Sequence, residues 1–462
     1  MNSGVSLSAS QRPLRPERLD ALTGLRLIAA FCILFAHANE WLTPFSDYNP
    51  FHNGNMVSIY GMPLFFVLSG FVIHYNYGKL FATMRFRWAA AQFLGARVAR
   101  LYPLLLACLA VGLIVDGTFQ WIHPHPTWWL ELVGGFLTMT QSWFYIIIFD
   151  DHRLLMENAF GLGWSISTEF FFYLAYLGLV FLFMRLRTPR ATGIAWIIFG
   201  SAAFLFFVEC NIHLVGISAF AQQYVPNYVS ETENHASSFT RWLFYYSPYT
   251  RIFEFVLGCL TAQFYLQTAG RPIGDREQRW AKGALWSALA ALVVIGFFYL
   301  SSNPSPRLHN LVLFLHNNFL CAIPIATVIF CAARYETRFS DFLCHRRMVL
   351  LGEMSYSIYA VHTWTLRIFE HEPTKFGLTA GADAVARIAL GIAVTLVLST
   401  ATYRLIEIPG RAKLRGFFAA AMVRAMGDAP ANTRGKPGSS AGEDDGDRAA
   451  ARPAVEGGTN AS

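Results

Sequence analysis

"RLIAAFCILFAH", Arg26 to His37, sets an arginine and a histidine at the ends of ten residues that are almost all apolar. The stretch lies inside a longer apolar run, residues 21–41, and a helix of about 20 mostly apolar residues is what a bilayer crossing requires. Ten more runs of this kind follow, near residues 57–78, 101–118, 128–149, 163–184, 191–209, 243–266, 283–300, 311–333, 349–369 and 383–403. With 54% hydrophobic and only 14% charged residues, the chain is too apolar and too poor in charge for an ordinary soluble domain. The expected fold is an all-α polytopic membrane protein.

Charge sets the expected topology. The net charge of +7 does not point to nucleic acid, because the basic residues collect in short loops between apolar runs and no basic-and-aromatic binding module is present. The clusters are Arg12/Arg15/Arg18, Arg85/Arg87/Arg97/Arg100, Arg185/Arg187/Arg190, Arg271/Arg276/Arg279/Lys282, Arg334/Arg338/Arg346/Arg347 and Arg404/Arg411/Lys413/Arg415. The positive-inside rule puts each of them, and both termini, in the cytoplasm. Residues 209–234, with Glu209, Glu231 and Glu233 and no Lys or Arg, suit the outer side. Two cytoplasmic termini forbid an odd number of crossings, so one of the eleven runs does not span. Residues 128–149 are that run, with Trp128, Trp129 and Trp143 as headgroup-level anchors. The expectation is about ten transmembrane helices plus one re-entrant or interfacial segment.

The first run also resembles a signal peptide ending at Ala36-His37-Ala38. The long polar stretch before it and the many later spans favour an uncleaved helix. Three regions result: a cytoplasmic N-terminal segment, 1–20; a membrane domain, 21–415; and a disordered cytoplasmic tail, 420–462, rich in Gly, Ala, Pro, Ser and mixed charge. The seven cysteines form no CxxC pair, and the His123-Pro-His125 pair has no third ligand, so no metal site is expected.

Ionisable groups at membrane depth are where chemistry is sought, because each costs about 2.5–3.5 kcal/mol at a helix centre on insertion scales. Arg26 and His37 are eleven residues apart, about three turns, and so share one helix face at roughly 16 Å separation. Glu169 in "GLGWSISTEFFFY" begins an apolar helix on the outer side, where it can orient the His37 imidazole or simply favour the helix start. Arg251 and Glu254 are spaced as an intramembrane ion pair. Tyr356, Tyr359 and His362 fall on one side of a helix, as cavity-lining groups or interhelical hydrogen bonders. Arg97 and Arg100 stand at the inner interface, as topology markers or as the contacts of an anionic cytosolic ligand.

Several motifs, in order, are similar to those of the acyltransferase-3 family of integral membrane acyltransferases: "RLDALTGLRLIAAFCILFAH" with Arg-x10-His, "GMPLFFVLSGF", "RVARLYP", "GWSISTEFFFY", "RIFEFVLGC", "GEMSYSIYAVH" and "YRLIEIP". The match runs from about Arg18 to Arg415. The resemblance implies transfer of an acyl group, commonly acetyl from acetyl-CoA, to a hydroxyl of a surface polysaccharide, lipopolysaccharide or lipid-linked sugar, in the cytoplasmic (inner) membrane of a bacterium. It places His37, Glu169 and Arg26 in the catalytic site, with His37 as general base and Glu169 orienting it. Arg26, Arg97 and Arg100 become acyl-CoA contacts, and Ser69, Arg251, Glu254, Tyr359 and His362 line the cavity. Transfer runs directly or through an acyl-histidine. Thr23 and Gly24 depart from the family pattern and leave the role of Asp20 open. No hydrolase-like domain follows the membrane domain, which suits an enzyme acting alone, as a homo-oligomer or with a partner protein. Two other readings stand beside this one: a transporter or exporter of a glycan or small molecule, and a scaffold whose polar pairs serve packing.

Overall fold

The computed structural model describes residues 19–43, 54–115, 126–148, 153–300, 311–371 apart from 313 and 317, 376 and 378–427. The chain is all-α and polytopic. Its helices are α1 (Leu19–Leu42), α2 (Ser58–Thr83), α3 (Phe86–Val115), α4 (Pro126–Thr138), α5 (Gly163–Arg185), α6 (Pro189–Ile212), α7 (Leu214–Tyr224) and α8 (Pro248–Thr268). The second half adds α9 (Asp275–Leu300), α10 (Ala322–Arg334), α11 (Arg338–Leu343), α12 (Arg346–Glu353), α13 (Ser355–His371), α14 (Ala380–Thr402) and α15 (Ile408–Gly427). A two-residue antiparallel pairing of Ile147–Ile148 with Arg153–Leu154 is the sheet among the described residues.

Seven helices among the described residues are long and apolar enough to cross a bilayer: α1, α2, α3, α5, α6, α9 and the continuous α14–α15. The other three expected spans fall on helices too, but differently built. Residues 311–333 are interrupted by a turn at 318–321, where Phe319 adopts φ 79°, and α10 has only 13 residues. Residues 349–369 break at Met354 into α12 and α13. α8 is preceded by a π-helical turn, Trp242–Tyr246. In the 128–149 run α4 spans 13 residues, about 20 Å, short of the roughly 30 Å hydrocarbon core.

The boundary of the tail needs correction. Residues 420–427 continue α15, because "AAMVRAMG" is made largely of strong helix formers. Residues 1–18 and 428–462, on which the rest of the terminal assignments fall, lie outside the described residues, as do His123 and His125.

Burial separates centre from rim. Two-thirds of the most apolar window of α2 is buried, against 22% for α6 and α9, whose outward residues Ile197, Val293 and Phe297 stay more than 60% exposed. Such faces belong to lipid. α2 lies directly on α8 through two reciprocal glycines. A Cβ at Gly70 would strike the Phe255 carbonyl, and one at Gly258 would strike that of Val67, so the backbones meet without side chains between them. α1 packs on α2, α12, α13 and α14, which brings the first helix against the last two long ones.

Candidate active site

The central helices frame a cavity of about 80 Å³, lined by residues of α1, α2, α3, α5 and α13. Arg26, Ser69, Arg97, Arg100, Glu169 and Tyr359 all face it, so six of the residues singled out in the sequence converge on one place. Ser165 and Tyr356 join them.

The polar groups in this cavity are unevenly satisfied. Glu169 accepts a hydrogen bond from the Ser69 hydroxyl (3.0 Å) and one from the Tyr173 phenol (2.7 Å). Arg97 is almost fully buried, donates to the Tyr77 hydroxyl at 2.6 Å and lies 4.8 Å from the centre of that ring. Its Nε has no partner. Among the described residues neither Arg26 nor Arg100 donates a hydrogen bond to another residue. Arg26 is instead under the influence of charges around it: Arg100 and Arg411 repel it, and Glu407 and Glu169 attract it. An unmade donor at this depth is costly unless something else pairs with it.

His37 does not line this cavity, and Glu169 does not orient it. Its Nδ1 sits 2.8 Å from Nε2 of His362, and its ring stacks on Trp41 at 5.2 Å. Sequence spacing placed Glu169 and His37 in the same half of the membrane but could not reveal that Ser69 and Tyr173 occupy the carboxylate. The tautomers follow from the acceptors. Nδ1 of His362 is 3.3 Å from the Ile358 carbonyl, which can only accept, so Nδ1 carries the proton and Nε2 is an acceptor. His37 therefore donates from Nδ1, and its Nε2 keeps a lone pair. The buried His362 thus does for His37 what a carboxylate does in other dyads, without adding a charge.

The dyad adjoins the cavity through Tyr359. That ring is 5.8 Å from His362, and its hydroxyl accepts from Ser165 at 2.9 Å. Arg251 and Glu254, expected in the cavity lining, are elsewhere. They form a 3.1 Å ion pair, each 1% exposed, with Arg251 Nε also donating to the Tyr245 carbonyl at 2.9 Å. Packing between Phe66 and Tyr245 seals this pair off. Three contributors escaped the sequence reading: Tyr77, Tyr173 and Glu407. Tyr173 was within reach, since it stands one turn after Glu169 on the same helix face.

A family profile described as "Acyltransferase domain" matches residues 19–404. The chain belongs to the acyltransferase-3 family. Among curated relatives of this acyltransferase, Acyltransferase MdmB of Streptomyces mycarofaciens is 26% identical over 83% of the chain and 89% of its own length. Exopolysaccharide production protein ExoZ of Rhizobium meliloti is 24% identical, over 76% of the chain and 90% of ExoZ. O-acetyltransferase OatA of Staphylococcus aureus is 23% identical over 86% of the chain, which spans 58% of OatA. No solved structure matches. The protein is thus a multi-pass membrane O-acyltransferase.

Proposed function

We propose that the protein transfers an acyl group, acetyl in the first instance, from cytosolic acyl-CoA to a hydroxyl of a surface polysaccharide or lipid-linked sugar. One observation carries this reading: a single cavity brings Arg26, Arg97 and Arg100 together, with Arg97 Nε buried and without a partner, the arrangement that a polyanionic diphosphate would complete. The names of ExoZ and OatA support a polysaccharide acceptor and an acetyl group. A bacterial inner membrane with both termini inside agrees with the basic clusters, because Arg97 and Arg100 then belong to the cytoplasmic half.

In the proposed step, the acceptor hydroxyl approaches Nε2 of His37 and gives up its proton as its oxygen attacks the thioester carbonyl. A C–O bond forms, the C–S bond breaks, and the proton passes through His37 to the departing CoA thiolate. His362 fixes the tautomer throughout, and transfer is direct. Glu169 holds Ser69 and Tyr173 in place and offsets the positive charge of the arginines; its oxygens are committed to those hydroxyls and not to the imidazole.

Mass spectrometry of surface glycans and lipids tests this, comparing wild-type cells, cells with His37→Ala at matched protein level and cells without the gene. Loss of a 42-dalton acetyl increment in both altered strains, which is the mass of the acetyl group replacing a hydrogen, is the expected result. An unchanged profile in cells lacking the gene would return the protein to the transporter reading.

A further inference from the structure

We infer that Glu407 is a built-in counter-charge that weakens the grip of the arginine cavity on its anionic ligand, so that the spent donor can leave. The inference rests on the reading that the cavity takes the phosphates of acyl-CoA.

The placement of Glu407 has a local cause. Between α14 and α15 the helix widens into a π turn, Tyr403–Glu407, in which the Ile408 N–H bonds the carbonyl of Tyr403, five residues back. Pro409 follows immediately. A proline here has no N–H to give, and its ring would collide with the Leu405 carbonyl in a regular helix, so the wider turn relieves both conflicts. The turn also rotates one side chain inward. Leu405 is 75% exposed and Ile408 39%, whereas Glu407 is 2% exposed.

Inside, Glu407 accepts a hydrogen bond at 2.6 Å from Ser357, a fully buried residue of α13 next to the cavity-lining Tyr356. Its turn packs on α3, the helix of Arg97 and Arg100, with Gly410 against Pro103, and the charges that bear on it are those of Arg100, Arg26 and Arg411. Glu407 does not itself line the cavity. It therefore stands behind the arginines, pinned by Ser357, and neutralises part of their charge without competing for the position of the guest. With Arg26, Arg97, Arg100 and Arg411 against Glu169 and Glu407, the group keeps an excess of positive charge, but a moderated one. An arginine cage without such a carboxylate would hold CoA, acylated or free, more tightly and release the spent product more slowly.

The test measures the affinity of the purified, reconstituted protein for CoA and, separately, for inorganic pyrophosphate at low ionic strength. Glu407→Gln should tighten both by about tenfold, the effect of one unit charge at roughly 10 Å in a medium of effective dielectric about 20. Arg411→Gln should weaken both by a comparable factor, and the Glu407→Gln/Arg411→Gln double variant should return to wild-type affinity. If Glu407→Gln alone fails to fold, comparing the double variant with Arg411→Gln isolates the same carboxylate: binding about tenfold tighter in the double variant is expected, and equal binding overturns the inference. A merely structural Glu407 would leave affinity unchanged or weaken it, and either result overturns the inference. Measurable wild-type binding with no response to Glu407→Gln defeats this inference alone. Absence of wild-type binding defeats the cavity reading together with it.

Discussion

Two groups of arginine and carboxylate lie deep in the helix bundle, and they are treated in opposite ways. Arg251 and Glu254 are closed on each other at 3.1 Å, capped by a backbone carbonyl and packed between aromatic rings. Arg26, Arg97 and Arg100 face a cavity beside a Glu169 that bonds to hydroxyl groups and to none of them. Composition and depth are alike in the two groups, so neither marks function by itself. The difference is whether donors are used up within the protein. The closed pair ties its own helix to itself, with only Glu254 Oε2 left without a partner, whereas the three arginines share one open cavity.

The sharpest way to break this contrast lies one step beyond it, at the dyad. His37→Ala removes the proposed base and should lower acyl transfer by about 10²- to 10⁴-fold with protein abundance unchanged, read as acceptor acylation in membranes. The two arginine groups should then part company. Arg251→Met strands Glu254 and should cost about 3–5 kcal/mol, seen as loss of folded protein in detergent, while Arg251→Met with Glu254→Leu should recover most of it. Arg26→Gln and Arg97→Gln should leave folding intact. Each should reduce kcat/KM for the acyl donor by about ten- to a hundredfold, the value of one charge-assisted contact. A smaller change is expected from Ser69→Ala, which frees one oxygen of Glu169 and should lower activity about three- to tenfold.

The weakest expected effect concerns an acid outside the membrane-spanning helices. Burial raises the carboxyl pKa of Glu157 above its ordinary 4.5, against the opposing hydrogen bond from Ser237 at 2.6 Å. A raised value means that the folded state holds its proton longer than the unfolded chain. The contribution of Glu157 is thus present below pH 4.5 and fades as pH rises through the folded value. Glu157→Gln should flatten that decline in a series of thermal unfolding curves, and an unaltered pH profile would show the carboxyl to be solvated.

What could be read from the sequence follows the reach of each signal. Helix-scale patterns survive well: the Arg26 and His37 spacing and the Arg251 and Glu254 pair were legible, because each depends on neighbours within a few turns or on the cost of charge in lipid, whereas the grouping of Ser69, Arg97, Arg100 and Tyr359, which stand on three helices, came from the family resemblance. The partner of His37 was not, since it comes from a helix 325 residues further along. Glu169 misled for a related reason. Its depth was inferable, but the Ser69 hydroxyl that claims it arrives from a different helix. The runs at 311–333 and 349–369 carry polar residues at their breaks, Asn318 and Glu353 with Ser355, but hydropathy averaged over a span does not distinguish a buried turn from a continuous helix.

One feature of the fold extends past the chemistry. From Gly381 to Ala425 the last helix runs 45 residues through its π turn, about 68 Å of nearly rigid rod. A bilayer with its headgroups is only about 45 Å thick, and even a 40° lean would shorten the rod to about 52 Å. The π turn and Pro409 are where such a helix can bend, and beyond them α15 lies along α3, with Phe418 against Gly95 and Gly410 against Pro103. The basic foot of α15, with Arg411, Lys413, Arg415 and Arg424, is the part suited to water.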